Sequence, residues 1–273
     1  EIRWNKTPLR PSSGDTLRFD TQRGDPDQWS IPLDTLVDSN LTSGIGLTAL
    51  AVDEERGMLY AVSKLRGYIF VIDIRDDSDV LGTGFRDLNY LDVEALLSVN
   101  TSSEATGFRQ VLPIPGTDKL LAICDSPEAI AIIDLSALVD DATEDVLEDV
   151  AVGWLVAPRG LERDEGANNR SNVGPAQMVL HPDGKRLFVS QFNRNAITTY
   201  DLTLGPYGTL VRETPLVGEN PYSLALSPDG RFLVYGNTTG ELHDDEANST
   251  LGILDVDTSS PTYLEVRTWI AND

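Results

Sequence analysis

The chain repeats one pattern, reading MVLHPDGKRLFVS over residues 178–190 and LALSPDGRFLVYG over residues 224–236. In both stretches an apolar run leads into Pro-Asp-Gly, and a second run rich in β-branched and aromatic residues follows. Pro fixes φ at the first turn position, Asp hydrogen-bonds its own backbone, and Gly accepts a positive φ. Each stretch therefore predicts a tight β-hairpin, and its return in the same frame predicts a protein built from copies of one unit.

Extending the two stretches defines four units with a regular spacing. From the second residue of a unit to its closing Asp, the separation is 26 positions in three units (47 to 73, 108 to 134, 175 to 201) and 34 in the last (221 to 255). The eight residues GELHDDEA, 240–247, account for the difference as an insertion at the second hairpin. The units themselves cover residues 46–74, 107–135, 174–202 and 220–256.

Each unit predicts three short antiparallel strands, and the stretches 152–158, 208–216 and 262–270 supply a fourth, outer strand. A single four-stranded sheet cannot cover both of its faces, so such units stack radially. We therefore predict an all-β fold, a β-propeller of four-stranded antiparallel blades with four complete blades visible. A parallel βαβ fold is disfavoured, and the best helical stretch, residues 87–99, is predicted to be an insertion between blades. The blades are predicted at about 46–103, 104–173, 174–219 and 220–273.

The stretches HPDGKRLFVSQFNRNAITTYDL (181–202) and SPDGRFLVYGN (227–237) resemble the YVTN-type repeats of seven-bladed propellers. Such repeats occur in archaeal and bacterial surface-layer proteins, in lactonase-like 6-phosphogluconolactonases, and in many periplasmic or extracellular proteins. The resemblance covers about residues 46–273. It implies architecture more than activity, because the matching residues are turn and core positions. It also implies an extracellular, cell-surface or periplasmic location.

Four visible blades leave two arrangements open. In the arrangement that we favour, the chain is a partial propeller, cut from a longer chain or completed by another chain. Residues 1–45 would then be an outer strand or a degenerate blade. In the alternative, residues 1–45 form the fifth blade of a small closed ring.

The charge balance restricts the partners. The 273-residue chain has 44 acidic and 21 basic side chains and a net charge of −23. An acidic surface without a basic stripe repels phosphates, so we predict no nucleic-acid partner. No apolar run approaches the ~20 residues that span a bilayer, so membrane insertion is not expected. The predicted partner is another protein or the remaining blades of a larger chain.

Few residues suggest chemistry. Cys124, the single cysteine, lies in the apolar run LLAICD and is predicted to be an inert core residue. His181 falls in a hairpin turn and is predicted to have a structural role at the rim. No cofactor is predicted. The insertion contains one candidate metal site, whose oxygens would suit Ca²⁺, but the favoured interpretation of these residues is a solvated charge run. That candidate site consists of His243, Asp244, Asp245 and Glu246.

Propellers bind ligands at the central axis or on the loops of one face, where the chain enters the innermost strands. At the matching positions we name Arg109, Gln177 and Tyr222 as candidate ligand-binding residues of the channel mouth. The alternative is that these side chains only cap the innermost strands.

The sequence favours a non-catalytic extracellular or cell-surface propeller that acts as a scaffold or as a protein- or ligand-binding module. No catalytic residue is assigned, because no nucleophile, base and orienting carboxylate occur in a recognisable arrangement. One alternative is a lactonase-like hydrolase, which the resemblance permits. It would need His, Arg or acidic side chains converging on the channel, and Arg109 is the residue that meets this need. The other alternative is a sensor or accessory propeller domain of a larger chain.

Overall fold

The described residues form four separate sheets of four antiparallel strands each. In this computed structural model the described residues are 46–64, 68–73, 88–92, 107–124, 128–136, 151–156, 174–216, 219–240 and 248–271. Blade 1 contains β1 Leu47–Asp53, β2 Met58–Ser63, β3 Tyr68–Asp73 and β4 Leu88–Asp92, and blade 2 contains β5 Phe108–Ile114, β6 Lys119–Cys124, β7 Ala129–Asp134 and β8 Ala151–Val156. Blade 3 contains β9 Pro175–Leu180, β10 Arg186–Gln191, β11 Ala196–Asp201 and β12 Thr209–Pro215, and blade 4 contains β13 Pro221–Leu226, β14 Phe232–Gly240, β15 Asn248–Asp255 and β16 Val266–Ala271.

The four blades share one register. In each blade the first residue of the second strand pairs with the closing Asp of the third strand. The equal spacing in the sequence therefore reflects equal strand pairing, and the predicted fold of four-stranded antiparallel propeller blades is confirmed. The four pairs are Met58 with Asp73, Lys119 with Asp134, Arg186 with Asp201, and Phe232 with Asp255.

The first hairpin of each blade has the predicted turn chemistry. Gly184 and Gly230 of the two Pro-Asp-Gly turns have φ values of 69° and 71°, a region that glycine enters without strain. Their N–H groups donate to the carbonyl oxygens of His181 and Ser227, each over 2.9 Å. The turns of blades 1 and 2 lack the tripeptide, yet they also place a glycine at positive φ, at Gly57 and Gly116.

The core lies between the blades. On β6, Leu120 and Ala122 join residues of blade 1 in one apolar cluster, whereas Leu121 and Ile123 join residues of blade 3 in another. A third cluster joins blades 3 and 4. Because burying one aliphatic side chain contributes about 1.5–3 kcal/mol, the interblade clusters are a main source of stability. Among the described strands, blade 4 makes no contact with blade 1 comparable to the contacts between consecutive blades.

One prediction about blade 1 is wrong. Residues 88–92 were expected to be part of a helix inserted between blades, but they form the outer strand β4. This strand pairs antiparallel with β3, Tyr68 lying opposite Asp92 and Ile72 opposite Leu88. The reason is that β3 would otherwise leave a row of unpaired backbone groups at the sheet edge, and an added strand satisfies them. The remainder of the predicted helix and residues 1–45 lie outside the described residues.

The outer strand of blade 4 begins at Val266, so the predicted start at residue 262 is wrong. The residues just before this strand form a turn held by Asp255, whose Oδ2 accepts hydrogen bonds from the hydroxyl groups of Ser260 (2.6 Å) and Thr262 (2.7 Å). Leu264 donates its N–H to the carbonyl oxygen of Asp255 over 2.7 Å and has a φ of 61°. The segment before the strand is therefore a polar turn built on the closing Asp.

The single cysteine is a core residue, as predicted. Cys124 is buried in the cluster between blades 1 and 2. Burial raises the pKa of its thiol to about 12. The thiol therefore stays protonated near neutral pH, and a protonated thiol is a weak nucleophile.

Candidate functional site at the channel mouth

The innermost strands β1, β5, β9 and β13 all begin at one end of the array, which we call the channel mouth. The residue before the strand is left-handed in three blades, with φ of 63° at Gly46, 55° at Gly174 and 53° at Asn220. Asn is one of the few non-glycine residues that tolerate this region. The carbonyl oxygens of these three residues accept N–H groups at 2.8, 2.9 and 3.0 Å, from Lys64, Phe192 and Thr238 respectively. The backbone of the mouth is thus fixed in the same way in blades 1, 3 and 4.

Arg109 places a positive charge at the mouth. It is the second residue of β5 and is half-buried, and its Nη1 donates to the carbonyl oxygen of Pro175 over 3.4 Å. Pro175 begins β9, so the guanidinium crosses from blade 2 to blade 3 beside the first residues of the innermost strands. A guanidinium keeps its charge at any physiological pH and recognises carboxylate and phosphate groups. In a chain with a net charge of −23, Arg109 is a candidate anion-binding group.

Tyr222 places an exposed aromatic ring at the mouth. It is the second residue of β13, in the position that Arg109 occupies on β5, and its side chain is exposed. Its ring lies edge-on to that of Phe192, with centroids 6.4 Å apart and an interplanar angle of 87°. The Oγ of Ser190 donates to the Tyr222 carbonyl oxygen over 3.1 Å and so fixes the backbone below the ring. The two rings form an apolar surface next to the Tyr222 hydroxyl group, an arrangement that suits a ligand with an apolar face and polar groups.

Gln177, the third predicted residue, makes a contact between blades. Its Oε1 accepts the N–H of Leu224 on blade 4 over 2.6 Å. Gln110 occupies the same position on β5 and binds both backbone groups of Met178 on blade 3, accepting its N–H over 2.8 Å and donating to its carbonyl oxygen over 2.9 Å. Both glutamines therefore fasten the free edge of the next innermost strand. A ligand-binding role for Gln177 stays a prediction.

A row of buried polar side chains lies beside the mouth, and the sequence reasoning missed it. In every blade one residue of the second strand pairs with the first residue of the innermost strand, and in blades 1, 2 and 3 it is the last residue of the second strand. Gln191 is fully buried and donates from Nε2 to the Thr198 hydroxyl over 2.8 Å. Alignment of the units by strand would have shown that this position is polar or a thiol in every copy. The row consists of Ser63, Cys124, Gln191 and Asn237.

His181 lies at the opposite end of β9, in the hairpin turn, as predicted. Its Nε2 is 3.0 Å from the carbonyl oxygen of Gly230 on blade 4. The neighbouring Arg186 donates to Asp183 over 3.0 Å and to the carbonyl oxygen of Val256 on blade 4 over 2.7 Å. Partial burial acts to raise the pKa of Asp183, but hydrogen bonds from the Lys185 amide, Arg186 and His181 outweigh it and keep that pKa below its usual value. These contacts join blades 3 and 4 and place His181 away from the mouth.

The candidate metal residues of the insertion are not part of the described fold. His243, Asp244, Asp245 and Glu246 lie outside the described residues, so the Ca²⁺ site stays a prediction. Elsewhere in the described part of the chain, no three His, Cys, Asp or Glu side chains are grouped so that they could hold a metal ion. Over the same residues, no helix has the length and apolar character needed to cross a membrane.

The four-stranded antiparallel blades, with their innermost strands starting at one mouth, identify this protein as a β-propeller. A family model described as lactonase, 7-bladed β-propeller, matches residues 160–265. That range covers the described parts of blades 3 and 4 up to the turn before β16, and includes Tyr222 and Phe192. Blades 3 and 4 are therefore similar to the lactonase type of propeller.

Several solved structures share the fold. Hydrazine synthase of Kuenenia stuttgartiensis aligns with 85% of this chain and 50% of its own at a TM-score of 0.54 and 13% identity. A provisionally assigned 6-phosphogluconolactonase of Bacteroides uniformis aligns with 82% of this chain and 56% of its own, with a TM-score of 0.52 and 17% identity. The periplasmic gluconolactonase of Pseudomonas aeruginosa aligns with 83% of this chain and 55% of its own, with a TM-score of 0.51 and 15% identity. The chain thus spans about half the length of these three chains, and identities this low show the fold alone.

One curated protein matches over a shorter stretch. The catalytic subunit PAN2 of the PAN2-PAN3 deadenylation complex of Cryptococcus neoformans is 34% identical over 77 residues. The match covers 28% of this chain and 6% of that protein. It is a likeness over a fraction of both chains.

Proposed function

We propose that this chain is part of a lactonase-like propeller that binds a small sugar lactone at the channel mouth and opens its ring to the anionic sugar acid. The observation that carries the proposal is the coincidence of two features. The lactonase family model covers blade 3 and blade 4 up to the turn before β16, and the aromatic pair of exposed Tyr222 and half-buried Phe192 lies at the mouth of those two blades. Two of the structural neighbours are called gluconolactonases, which supports the same class of substrate.

The chemistry of the mouth suits such a ligand. A sugar ring has an apolar face of C–H groups, which an exposed aromatic ring can cover, and hydroxyl groups that exchange hydrogen bonds with polar side chains. Opening a lactone adds water to the ester: the water oxygen bonds to the carbonyl carbon, and the bond from that carbon to the ring oxygen breaks. One proton of the water ends on the ring oxygen, which becomes a hydroxyl group, and the other is released to the solvent as the carboxylate forms. Negative charge develops on the carbonyl oxygen during this step, and a fixed cation nearby stabilises it. We assign that role to Arg109 and the stacking role to Tyr222.

The proposal favours the hydrolase over the non-catalytic scaffold that the sequence favoured. The reason is that a family with a named activity matches blades 3 and 4, which contribute Tyr222 and Phe192 to the mouth, whereas Arg109 comes from blade 2, outside the matched residues. The non-catalytic binding module remains the second candidate, and the acidic surface is the observation that supports it. The extracellular, cell-surface or periplasmic location is likewise a proposal, supported by the repeat resemblance and by the periplasmic neighbour.

The experiment is a lactone hydrolysis assay with variants of the mouth. We expect the 273-residue chain to hydrolyse δ-gluconolactone faster than the spontaneous reaction, which is followed at constant pH by the base consumed. The variant Arg109→Gln should lower kcat/KM by about 10²-fold, the effect expected of one group that stabilises transition-state charge. Tyr222→Ala should mainly raise KM.

Arg212→Gln is the matched control, because Arg212 is exposed on the outer strand β12, away from the mouth. It should behave like the wild type. A spontaneous rate with no detectable gluconate binding would reject the hydrolase. If gluconate bound at the mouth without turnover, the result would favour the non-catalytic binding module.

A further inference from the structure

The aromatic pair at the channel mouth is built from two blades. Phe192 lies in the short 3-10 turn Phe192–Arg194, which joins β10 to β11 of blade 3, whereas Tyr222 lies on β13 of blade 4. The two rings keep their edge-on arrangement only if the start of β13 has a fixed position relative to that turn. The contacts that fix this position therefore decide whether the two rings form one surface for a ligand.

One residue of blade 3 binds both ends of the connection between the two blades. Asn195 follows the 3-10 turn and has a φ of 51°, which Asn tolerates. Its carbonyl oxygen accepts the N–H of Leu216, where the connection begins, over 2.8 Å. Its side-chain Oδ1 accepts the N–H of Asn220, where the connection ends, over 2.8 Å. Asn195 thus sets where β13 begins relative to the turn that carries Phe192.

Asn220 is also held from within blade 4. Its carbonyl oxygen accepts the N–H and the hydroxyl group of Thr238, each over 3.0 Å. Both backbone groups of the residue two positions before Tyr222 are therefore bonded, one to blade 3 and the other to β14. Gln177 binds β13 further along, at Leu224, so the bond to Asn195 is the one that fixes the start of the strand from blade 3.

Ser190 makes a second contact with β13 from the same hairpin of blade 3. Its hydroxyl group is fully buried, donates to the carbonyl oxygens of Tyr222 (3.1 Å) and Gln177 (3.2 Å), and accepts the N–H of Gln177 over 3.0 Å. Burying a hydroxyl group is unfavourable unless it is hydrogen-bonded. The fifth residue of the second strand is Ser190 in blade 3, but Val62, Ile123 and Gly236 in blades 1, 2 and 4. The polar residue at this place thus occurs in the blade that borders Tyr222.

We propose that Ser190 and Asn195 are positioning residues of the candidate ligand site, which hold Tyr222 of blade 4 against Phe192 of blade 3. Both act through Tyr222. The use of the two rings by a sugar lactone rests on the proposed function, whereas the arrangement of the rings does not. Loss of either contact should weaken ligand binding and leave kcat unchanged, because the group assigned to the transition state, Arg109, lies on blade 2.

Asn195 allows the hydrogen bond to be separated from the backbone conformation. Asn195→Gly keeps a residue that enters the left-handed region without strain and removes the acceptor for the Asn220 N–H. Asn195→Asp keeps both features, because Asp tolerates this region and its carboxylate oxygens are acceptors. With δ-gluconolactone, we expect Asn195→Gly to raise KM about 3- to 10-fold at unchanged kcat, the effect of losing one neutral hydrogen bond. Asn195→Asp should restore the wild-type KM.

Ser190→Ala should likewise raise KM at unchanged kcat. Thr117→Val is the matched control, because it removes the bond from the Thr117 hydroxyl group to the carbonyl oxygen of Ile114 (2.8 Å). This bond lies in the first hairpin of blade 2, at the end of the strands opposite the mouth. The control variant should keep the wild-type KM. The Tm of each variant shows that it is folded at the temperature of the assay.

A double-mutant cycle with Tyr222→Ala shows whether Asn195 acts through Tyr222. If it does, Asn195→Gly should change KM by less than about 2-fold once Tyr222 is replaced, because the group that it positions is gone. A residue that only stabilises the fold would give the same factor with and without the Tyr222 ring.

The arrangement of the rings is measured by NMR without any ligand. Nuclear Overhauser contacts between the ring protons of Tyr222 and Phe192 should be present in the wild type and in Asn195→Asp. They should be weakened or lost in Asn195→Gly and in Ser190→Ala. The Asn220 amide should also exchange with solvent faster in Asn195→Gly, because its acceptor has been removed.

A failure of the proposed function and a failure of the positioning role give different results. A wild type that neither binds gluconate nor opens the lactone rejects the proposed function, and the ring contacts then decide the positioning role alone. Ring contacts that persist in both Asn195→Gly and Ser190→Ala would overturn that role. So would independent effects on KM in the double-mutant cycle, or a Thr117→Val variant whose KM rises as much as that of Asn195→Gly.

Discussion

The glutamine contacts between blades allow a quantitative prediction for stability. The N–H and carbonyl groups of Met178 are both bound by the side chain of Gln110, which reaches from blade 2 to the innermost strand of blade 3. The substitution Gln110→Leu keeps a side chain of similar size and removes both hydrogen bonds. A neutral hydrogen bond contributes about 0.5–1.5 kcal/mol, and a buried group left without a partner costs about 1–3 kcal/mol. Because Gln110 is half-buried, we expect the free energy of unfolding to fall by about 2–4 kcal/mol.

The assay is urea unfolding followed by tryptophan fluorescence, with the slope of the free energy against urea compared between variants. Gln177→Leu is the graded comparison: its side chain makes one such bond, to the N–H of Leu224, so the loss should be about half as large. Thr48→Val, which removes the bond from the Thr48 hydroxyl to the Phe108 carbonyl oxygen (2.7 Å), should cost about 1 kcal/mol. A Gln110→Leu variant within about 0.5 kcal/mol of the wild type would refute the reasoning, because that value is typical of an uninvolved surface substitution.

Two further predictions concern local structure. The buried Asp255 has a pKa below its ordinary value, because hydrogen bonds from Ser260, Thr262 and a backbone amide outweigh its burial. Its contribution to stability is therefore present above the unfolded pKa of about 3.9 and is lost as the pH falls through the lower folded pKa. Asp255→Asn should thus destabilise the protein more at pH 7 than at pH 2.5 in urea titrations, and an equal effect at both values would contradict the assignment. Gly174→Ala should cost more than Gly116→Ala when their Tm values are compared: both glycines have positive φ, but a Cβ at Gly174 would lie 2.6 Å from Nδ2 of Asn193, whereas a Cβ at Gly116 would meet nothing within 4 Å. Equal losses of Tm would show that the contact with Asn193 is relieved without cost.

The repeat could be read from the sequence because its signals are local. Turn chemistry at Pro-Asp-Gly and the alternation of the flanking strands act within about fifteen residues, and the spacing to the closing Asp reflects strand register directly. The outer strand of blade 1 was missed because residues 88–92 continue into a stretch with helical spacing. Tertiary pairing with β3 decides their conformation.

Only some of the contacts at the mouth could be predicted from the sequence. The position of Arg109, Gln177 and Tyr222 at the starts of the innermost strands follows from the frame of the repeat. The bond from Gln177 to Leu224 does not, because it joins residues 47 apart in the chain through side-chain geometry. For the same reason the sequence does not predict that Leu50 and Leu251 are exposed, because their equivalents in blades 4 and 3, Leu224 and Ile197, are buried.

The most direct measurement of the central functional claim is a titration of the isotope-labelled chain with gluconate, followed by NMR. The account predicts that the backbone amides of Tyr222 and Phe192 and the Arg109 guanidinium shift with one common Kd, while His181 at the opposite end of β9 does not move. Shifts confined to the hairpin turns around His181, or no shifts at any concentration up to 10 mM, would contradict the assignment of the ligand site to the channel mouth.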